Sequence, residues 1–577
     1  MAWHDVVVSA MHVAKITRKH GDREYTSHLV RRSFREGGRV RHETIANVSK
    51  LPPAAIEALA RALRGEALAG AADVFKIERS LPAGHVECVL AAAGRLGLAR
   101  LLDRSPSRAR ELALAMVCQR VICPGSKLET SRLLGQSTLA SELGVEGADE
   151  DELYAAMDWL GERQGRIEDR LAARHLKGAR LVLYDLSSSY FEGRHCPLAA
   201  LGYSRDGRRG TLQITYGLLC DPDGRPVAVE VFEGNISDGQ TVPAQIAKLK
   251  DRFGLEAVIV VCDRGMVTKA NIAAMDETAG IGWITALKAP QVKRLVASGD
   301  LQLSLFDEAN LAEIESDLFP GERLVVCRNP LVAAERSRKR SELLAATENE
   351  LEAIRQRIDK GTLHGAAAIG LAVGPALGRY RMRKHFEIEI TDDRLSFTRK
   401  HDQIETEAAL DGIYVLRTSA PAEQLAGAEV VRSYKSLARV ERAFRTFKGP
   451  LEIRPIGHRL EQRVRAHVFI CTLAYYLSWH LREAWAELIF ADEYPPTPAD
   501  PVAKAQRSAH AAGKATSKRT QTGHPCHSFE SLTAELGLRT RNTIRLQGSN
   551  ASFDQLTEPS DLQARALDLI ANIPKHA

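Results

Sequence analysis

Two aspartates stand at the ends of predicted strands, where a sheet could bring their carboxylates together. Asp185 closes the apolar run LVLYD, and Asp263 closes the run VIVVCD. If those strands are neighbours in one sheet, both carboxylates emerge side by side and face one site. A single aspartate at a strand end is commonly a turn former or a helix cap, so neither one alone indicates catalysis. The pair needs a third group to make a site.

A glutamate with unusual neighbours supplies that third group. In the segment YKSLARVERAFRTFK, Tyr434, Glu441 and Lys448 are spaced by seven residues, which is nearly two helical turns. All three therefore share one face of a helix predicted over Ser433 to Lys448, and Arg445 follows Glu441 by one turn. An acid flanked by tyrosine, arginine and lysine is typical of a carboxylate that binds metal beside groups that hold phosphate.

Three carboxylates without a nearby histidine or cysteine favour a hard cation with oxygen ligands, Mg²⁺ or Mn²⁺, over zinc. Two such ions about 3.5 to 4 Å apart can activate a water or a 3′-hydroxyl and stabilise the leaving oxygen of an in-line phosphoryl displacement. The residues therefore indicate phosphodiester chemistry with two ions in each site.

The elements that must position the aspartates form one stretch from Arg180 to Lys288. Short runs rich in Val, Ile, Leu and Tyr predict strands in ARLVLYD, TLQITYGLLCD, PVAVEVFEG, AVIVVCD and GWITALK. Helix-compatible stretches precede and follow the fourth strand, at Thr241 to Arg252 and at Thr268 to Thr278. The predicted order is a three-strand meander followed by helix, strand, helix and strand.

The segment from Lys15 to Lys50 is strongly basic. It holds ten lysines or arginines against four acids, a difference equal to the formal net charge of +6 of the whole chain. Its alternating pattern, with Gly37 and Gly38 at the middle, predicts a basic β-hairpin. Such a hairpin is either a nucleic-acid contact or an edge that its charges keep from aggregating. The candidate DNA contacts are Arg31, Arg32, Arg35, Arg39 and Arg41.

Other regions are predicted to be helical. The pattern from Pro82 to Arg174 predicts several helices, which act either as a scaffold or in DNA recognition. Ala333 to Asp359 predicts a long amphipathic helix inside an otherwise irregular stretch, and Glu461 to Leu488 predicts a further helix. Pro501 to Phe529 contains no acid and predicts a flexible basic linker.

The composition excludes several classes of protein. No apolar run reaches the length of a membrane span, and the N-terminus has no secretion signal. The nine cysteines form no C-x-x-C pair, so neither a disulfide framework nor a thiolate zinc site is indicated. We therefore expect a globular cytoplasmic protein of several domains.

Four segments carry a resemblance to a known family. They are YDLSSSYFEG around Asp185, EGNISDGQT after the third strand, VCDRGM around Asp263, and YKSLARVERAFRTFKGPLEIRPIGH around Glu441. With them the chain resembles the DDE transposases of bacterial insertion sequences, in the branch marked by the signature Y-x2-R-x3-E-x6-K.

The resemblance implies an α/β fold with an RNase H-like mixed sheet and a long insertion before the glutamate helix. It implies that the three acids bind divalent ions, cut DNA at the terminal inverted repeats of the element and transfer strands into target DNA. It also implies a homodimer in the synaptic complex, located with the nucleoid. Tyr434, Arg445 and Lys448 would then contact phosphates near the scissile bond.

These patterns together predict the domain organisation of the chain. The expected divisions are 1–75, a basic DNA-contacting segment; 76–178, a helical domain; 179–290, the first part of the catalytic core; 291–410, the insertion; 411–490, the second part of the core; and 491–577, a basic linker with a C-terminal helical tail.

Leu437 stands where the signature has an arginine. Arg439 lies two residues further along, about 200° around the helix, and cannot replace it. In related enzymes that cut through a DNA hairpin, this signature and a tryptophan in the insertion handle the distorted strand, and here no tryptophan lies between Ala289 and Leu410. The sequence therefore puts a hairpin intermediate in doubt. If Leu437 packs into the insertion, the enzyme has given up one phosphate contact and the hairpin route that uses it.

Two other functions stay open at this point. The chain could be a sequence-specific DNA-binding protein that descends from a transposase and no longer cuts, although the intact set of three acids disfavours this. It could also be a metal-dependent nuclease without strand transfer, which would leave the basic hairpin and the long insertion unexplained.

Overall fold

The structure is a computed structural model that describes residues 10–21, 23–36, 39–66, 74–306, 309–547 and 549–576. The chain divides into two compact units. The first consists of Met1–Leu81 and Thr540–Thr557, and the second of Pro82–Arg539 and Glu558–Ala577. A late segment of the chain thus belongs with the N-terminal region, an arrangement that the sequence patterns did not predict.

Within the described residues, the first unit contains two three-stranded sheets and one helix. Its elements are β1 (Ala10–His20), β2 (Arg23–Glu36), β3 (Arg39–Asn47), α1 (Pro53–Leu63), β4 (Phe75–Pro82), β16 (Thr540–Leu546) and β17 (Ser552–Leu556). Strands β2 and β3 pair antiparallel up to Glu36 and Arg39, which confirms the predicted basic hairpin. The turn predicted at Gly37 and Gly38 lies outside the described residues. Strand β1, which was not predicted, adds antiparallel to the other side of β2.

The second unit begins with a helical layer that confirms the pattern read from Pro82 to Arg174. Its helices are α2 (Gly84–Arg95), α3 (Leu98–Leu102), α4 (Arg108–Ile122), α5 (Lys127–Leu134), α6 (Leu139–Leu143), α7 (Glu150–Gly161) and α8 (Gln164–His175). Helix α4 is buried continuously from Leu112 to Val121. It therefore serves as a scaffold, because a buried helix cannot enter a DNA groove. The Ser126 hydroxyl accepts a hydrogen bond of 3.1 Å from the Glu129 backbone N–H and begins α5 as an N-cap.

A mixed sheet of nine strands forms the centre of the second unit. Its strands are β5 (Leu181–Tyr190), β6 (Ala200–Leu201), β7 (Leu212–Cys220), β8 (Pro226–Glu233), β9 (Val258–Cys262), β10 (Ile281–Ala286), β11 (Leu311–Ile314), β12 (Arg323–Arg328) and β15 (Ile413–Thr418). The spatial order is β11-β12-β15-β10-β9-β5-β7-β6, with β8 paired to β7.

The first five long strands confirm the predicted order. Strands β5, β7 and β8 form an antiparallel meander, and β9 and β10 run parallel to β5. Helices α9 (Val242–Ala247) and α10 (Lys269–Asp276) connect them. The buried runs of Val, Ile and Leu in these strands explain why the sequence revealed them. This arrangement confirms the α/β fold class with an RNase H-like core.

The insertion is more regular than its sequence indicated. It begins with α11 (Ala289–Ala297), and β11 and β12 then extend the central sheet beside β15. The remainder comprises α12 (Pro330–Asp359), α13 (Ala366–Arg379), β13 (Phe386–Ile390), β14 (Leu395–Arg399) and α14 (His401–Ala408). The predicted long helix is confirmed, and Leu344, Leu351 and Ile358 on its apolar face pack into a hydrophobic core local to the insertion.

The remaining helices correct two predictions. They are α15 (Gly427–Lys435), α16 (Leu437–Lys448), α17 (Glu461–Ala484), α18 (Ala509–Ser517), α19 (Phe529–Leu536) and α20 (Asp561–Ile570). The prediction of a single helix over Ser433 to Lys448 is wrong, because the helix is interrupted at Ser436. The Ser436 hydroxyl donates a hydrogen bond to the Ser433 carbonyl at this interruption. No helix in the described ranges is both long and apolar enough to cross a bilayer.

The prediction of a flexible linker over Pro501 to Phe529 is also wrong. Helix α18 lies within it, and the side chain of Lys514 is almost fully buried. Its ammonium donates to the Ala486 carbonyl at 2.9 Å and pairs with Glu493 at 2.6 Å. These partners lie outside the acid-free segment, so the composition of the segment gave no sign of them.

Candidate active site

Asp185 and Asp263 lie side by side because their strands are neighbours. Strands β5 and β9 are parallel, and Tyr184 pairs with Cys262 in their register, so the two aspartates occupy the next position along both chains. Asp263 follows the last residue of β9, as predicted. Asp185 does not end its strand, since β5 continues to Tyr190 along β7. Because β5 extends past Asp185, this aspartate is half-buried within the sheet. Asp263 lies just beyond the end of β9 and is exposed.

The Asp185 carboxylate lies in an environment that opposes its ionisation. Burial raises the pKa of Asp185 to about 7, and the negative charges of Asp263 and, more weakly, Glu441 contribute to the increase. The backbone N–H of Leu186, which donates to Asp185 Oδ1 at 2.8 Å, acts in the opposite direction. The three acids therefore share one electrostatic environment, although Glu441 comes from a distant part of the sequence.

Helix α16 brings Glu441 to this environment by its amphipathic pattern. Its apolar side packs into the main core through Leu437, Val440, Phe444 and Phe447, and the helix lies against β5. Glu441 lies on the opposite, exposed side. Packing of the apolar face on the sheet thus fixes the helix while its acid stays accessible.

Tyr434 reaches the site from a different helix than predicted. It lies on α15, before the break at Ser436, so the seven-residue spacing to Glu441 does not describe one continuous helix. Its hydroxyl nevertheless donates to Asp263 Oδ1 at 3.3 Å. Burial, followed by the adjacent Asp263 charge, raises the pKa of Tyr434, so the phenol remains protonated and can donate at neutral pH.

Lys448 has a partner that the sequence did not reveal. Its ammonium lies 2.8 Å from Asp206 Oδ1, and the Arg454 guanidinium lies 2.5 Å from the same oxygen. The Asp206 side chain is only 1% exposed, so both cations are committed to a buried acid. Arg445, by contrast, is exposed one turn after Glu441 and has no ion pair within the described ranges. Of the two predicted phosphate contacts on α16, Arg445 is thus the one that can bind a phosphate without first leaving a buried acid.

Leu437 does not pack into the insertion. It is buried in the main core with Val440 and Phe444, not in the core of the insertion. Arg439 points elsewhere, since its guanidinium donates to the Pro222 carbonyl and lies 3.3 Å from Asp223 Oδ1. Neither residue therefore supplies the missing arginine of the signature.

The arginines predicted to contact DNA lie on both faces of the N-terminal hairpin. In the register of β2 and β3, Arg31 pairs with Thr44 and Arg35 with Val40, whereas Arg32 pairs with Glu43 and Arg41 with Phe34. Because successive side chains alternate across a strand, Arg31 and Arg35 share one face, and Arg32, Arg39 and Arg41 share the other. The hairpin does not gather them into one patch.

A cleft beside Asp263 contains residues that sequence reasoning missed. It has a volume of about 1040 Å³, and its walls include Asp263, Asp238, Arg205 and Tyr203. Arg205 Nη2 donates to Asp238 Oδ1 at 2.6 Å. The signal was present in the sequence, because Asp238 lies in EGNISDGQT and Arg205 in a short basic stretch, but neither segment had been assigned a role in the site.

The carboxylates suit a divalent cation by their chemistry. Within the described part of the chain, no three His, Cys, Asp or Glu side chains are already grouped closely enough to hold an ion. Burial first, and then the like charges of Asp263 and Glu441, raise the pKa of Asp185, and a cation bound between the carboxylates would offset both effects. A donor set made only of carboxylates fits a hard metal ion.

Comparison with known proteins agrees with the geometry. The family model described as the transposase DDE domain matches residues 194–477. This range includes Asp263 and Glu441 and begins nine residues after Asp185. A second model, the N-terminal domain of IS1634 family transposases, matches residues 13–73.

Similarity to whole proteins is weaker. Among solved structures, the chain is similar to the piggyBac transposase in a synaptic complex with hairpin DNA, at 8% identity and a TM-score of 0.33 over 78% of this chain and 77% of the other. Among curated proteins there is no significant match. The two family models cover the N-terminal region and most of the central sheet with its glutamate helix. The chain belongs to the DDE transposases of insertion sequences, metal-dependent enzymes that cut DNA and transfer its strands.

Proposed function

We propose that Asp185, Asp263 and Glu441 are the catalytic acids with which this transposase cuts the ends of its element. The observation that carries the proposal is the pairing of β5 with β9, which places two aspartates side by side, close enough to Glu441 for all three charges to interact. The proposal extends to two Mg²⁺ or Mn²⁺ ions held by these carboxylates. When bound, such ions activate the attacking oxygen and stabilise the leaving one.

The residues around the acids have separate tasks in this proposal. Tyr434 orients Asp263 through its hydroxyl, and the Leu186 N–H orients Asp185. Arg445, exposed one turn beyond Glu441, binds a phosphate of the substrate strand. Lys448 is not a direct phosphate contact in this proposal, because its ammonium is already paired with Asp206.

We also propose that the first unit grips the element ends. Its hairpin carries arginines on both faces, which suits contact with two phosphate strands or two DNA segments. Two copies of the chain would hold two ends in a synaptic homodimer, and the protein would work in the cytoplasm on nucleoid DNA. The second unit would supply the catalytic core in two parts, interrupted by the insertion.

Substitution of the acids tests the proposal. Asp185→Asn, Asp263→Asn and Glu441→Gln should each abolish metal-dependent cleavage of a plasmid that carries the element, while DNA binding persists. Since the three act as a unit, the triple variant should lose little more than any single one. Asp251→Asn, an exposed acid of the same unit, is the matched control and should cleave normally. Near-normal cleavage by any of the three variants would show that the assignment is wrong.

A further inference from the structure

The loop between β6 and β7 has a composition suited to DNA. Gly202 to Gly210 reads GYSRDGRRG and contains three arginines and one acid. Arg208 and Arg209 are exposed, and the Tyr203 side chain is 78% exposed. Gly207, with φ of +73°, provides a backbone turn at the middle of the loop that other residues rarely adopt. An exposed, basic surface loop of this kind could be mobile, so its attachments decide whether it can form a site.

Asp206 attaches the middle of the loop to two of the three elements that carry the proposed catalytic acids, β5 and α16. Its Oδ2 accepts a hydrogen bond of 3.1 Å from the backbone N–H of Tyr190, on β5. Its Oδ1 lies 2.8 Å from Lys448 on α16 and 2.5 Å from Arg454. Breaking a buried charge pair is strongly unfavourable, so these contacts hold the loop in one place.

Two further contacts fix the flanks of the loop. The backbone N–H of Arg205 donates to the Ser188 hydroxyl at 3.1 Å, and the Gln213 side chain donates to the Gly202 carbonyl at 2.9 Å. A Cβ at Gly202 would stand 2.0 Å from the Gly234 carbonyl oxygen, so the loop begins in close contact with the segment that leads to Asp238. The loop is therefore a fixed part of the catalytic edge of the sheet.

The charges of the loop divide into inward and outward groups. Arg205 faces inward and pairs with Asp238 at 2.6 Å, in the cleft that also contains Asp263. Arg208 lies over the Tyr190 ring at 3.8 Å from its centre and within 3.8 Å of Glu192, yet about half of its side chain stays exposed. Arg209 has no ion pair or side-chain hydrogen bond within the described ranges. No contact within the described ranges of the folded protein therefore requires a positive charge at Arg209.

Binding of an anionic polymer such as DNA would require a positive charge at this position. The three acids beside the loop repel the phosphates of a DNA strand, and cations fixed a short distance away offset that repulsion. We propose that the loop Gly202–Gly210 is a binding site for the phosphodiester backbone next to the scissile bond, with Arg208 and Arg209 as the contacts and Asp206 as the residue that positions them. The inference rests on the proposed catalytic acids and adds a strand-binding site to them.

Neutralising the outward arginines tests the inference without touching the core. Binding of Arg208→Gln/Arg209→Gln to a random-sequence 30-base-pair duplex should be measured between 50 and 200 mM salt. Removing two cations that bind phosphates should reduce the slope of log affinity against log salt by about 1.8, so that the advantage of the unmodified protein shrinks about 12-fold across that range. In plasmid cleavage, the effect should appear in KM more than in kcat.

A matched double variant removes the same charge elsewhere. Arg166→Gln/Lys177→Gln neutralises two exposed cations of the helical layer, and its salt slope and KM should equal those of the unmodified protein. A loop variant that behaves like this control overturns the inference. Asp185→Asn, assayed in parallel, separates the two proposals: if it still cleaves, the catalytic assignment fails, whereas if it is inactive and the loop variant is normal, only the loop inference fails.

Discussion

Replacing Asp185 by asparagine should stabilise the metal-free protein even though it removes a proposed catalytic acid. The reason is the environment of the carboxylate, in which burial and the charges of Asp263 and Glu441 raise its pKa to about 7. In the unfolded chain an aspartate ionises near pH 4, at a pKa of about 3.9. Folding at neutral pH therefore places a negative charge where the protein disfavours one, and an uncharged amide of the same shape avoids that cost.

The sign and size of the effect follow from the two pKa values. Between about pH 4 and pH 7 the folded state holds a proton that the unfolded state has released, so the free energy of unfolding falls as pH rises through this window and levels off above it. Each pH unit corresponds to about 1.4 kcal/mol, which gives an upper limit of about 4 kcal/mol at pH 8. For a unit of this length, that amount corresponds to about 4 °C in Tm.

Thermal melting in a chelator provides the measurement. Asp185→Asn should melt only about 1 °C above the unmodified protein at pH 4.5 but about 4 °C above it at pH 8. Adding Mg²⁺ at pH 8 should raise the Tm of the unmodified protein more than that of the variant, because only the former keeps the full set of carboxylates. Asp251→Asn should show neither effect. Equal melting of Asp185→Asn and the unmodified protein at pH 8 would refute the electrostatic reasoning.

The remaining predictions concern DNA binding, proteolysis and packing. Deleting Lys15–Lys50 should weaken DNA binding and flatten its salt dependence by about 0.9 for each phosphate that the segment binds, and an unchanged slope would assign those charges to solubility. Limited trypsin digestion, read by mass spectrometry, should cut after exposed Lys504 and spare buried Lys514. Leu437→Arg should lower the free energy of unfolding by about 3 kcal/mol or more in chemical denaturation without raising activity, whereas Leu437→Met should cost less than about 1.5 kcal/mol. Lys448→Ala should lower the free energy of unfolding by about 1 to 3 kcal/mol, because it removes a partner of a buried acid. Denaturing gels of the ends excised by the unmodified protein should show no hairpin-capped product.

The sequence predicted those features that depend on local pattern. The strands that hold Asp185 and Asp263 are buried runs of branched residues, and such runs stand out in any sequence. The sequence could predict that the two aspartates are adjacent only if their strands are neighbours in the sheet, and a hydrophobic pattern alone does not determine the order of strands. Strands β11 and β12 were missed because they have only four and six residues and lie between segments without clear period.

Features that depend on distant partners could not be predicted. Lys448 and Asp206 are 242 residues apart in the sequence, so nothing in the neighbourhood of Lys448 indicated that its charge was already paired. The break at Ser436 was equally hidden, because serine is compatible with a helix and its side chain caps the preceding turn only in the folded chain. Tyr434 still contacts Asp263, but for a reason different from helical spacing.

The first unit combines two distant segments of the chain, and this constrains the order in which it can fold during synthesis. Strand β4 ends at Pro82 and its neighbour β16 begins at Thr540, so 457 residues lie between them. At translation rates of about 5 to 20 residues per second, β4 waits roughly 20 to 90 s on the ribosome before its neighbour exists. During that time an edge bearing Phe75 and Ile77 has no strand beside it, which is a hazard for aggregation. A reading frame interrupted before Thr540 would leave this sheet permanently incomplete, so damaged copies of the element would yield a defective first unit even when every catalytic acid is present.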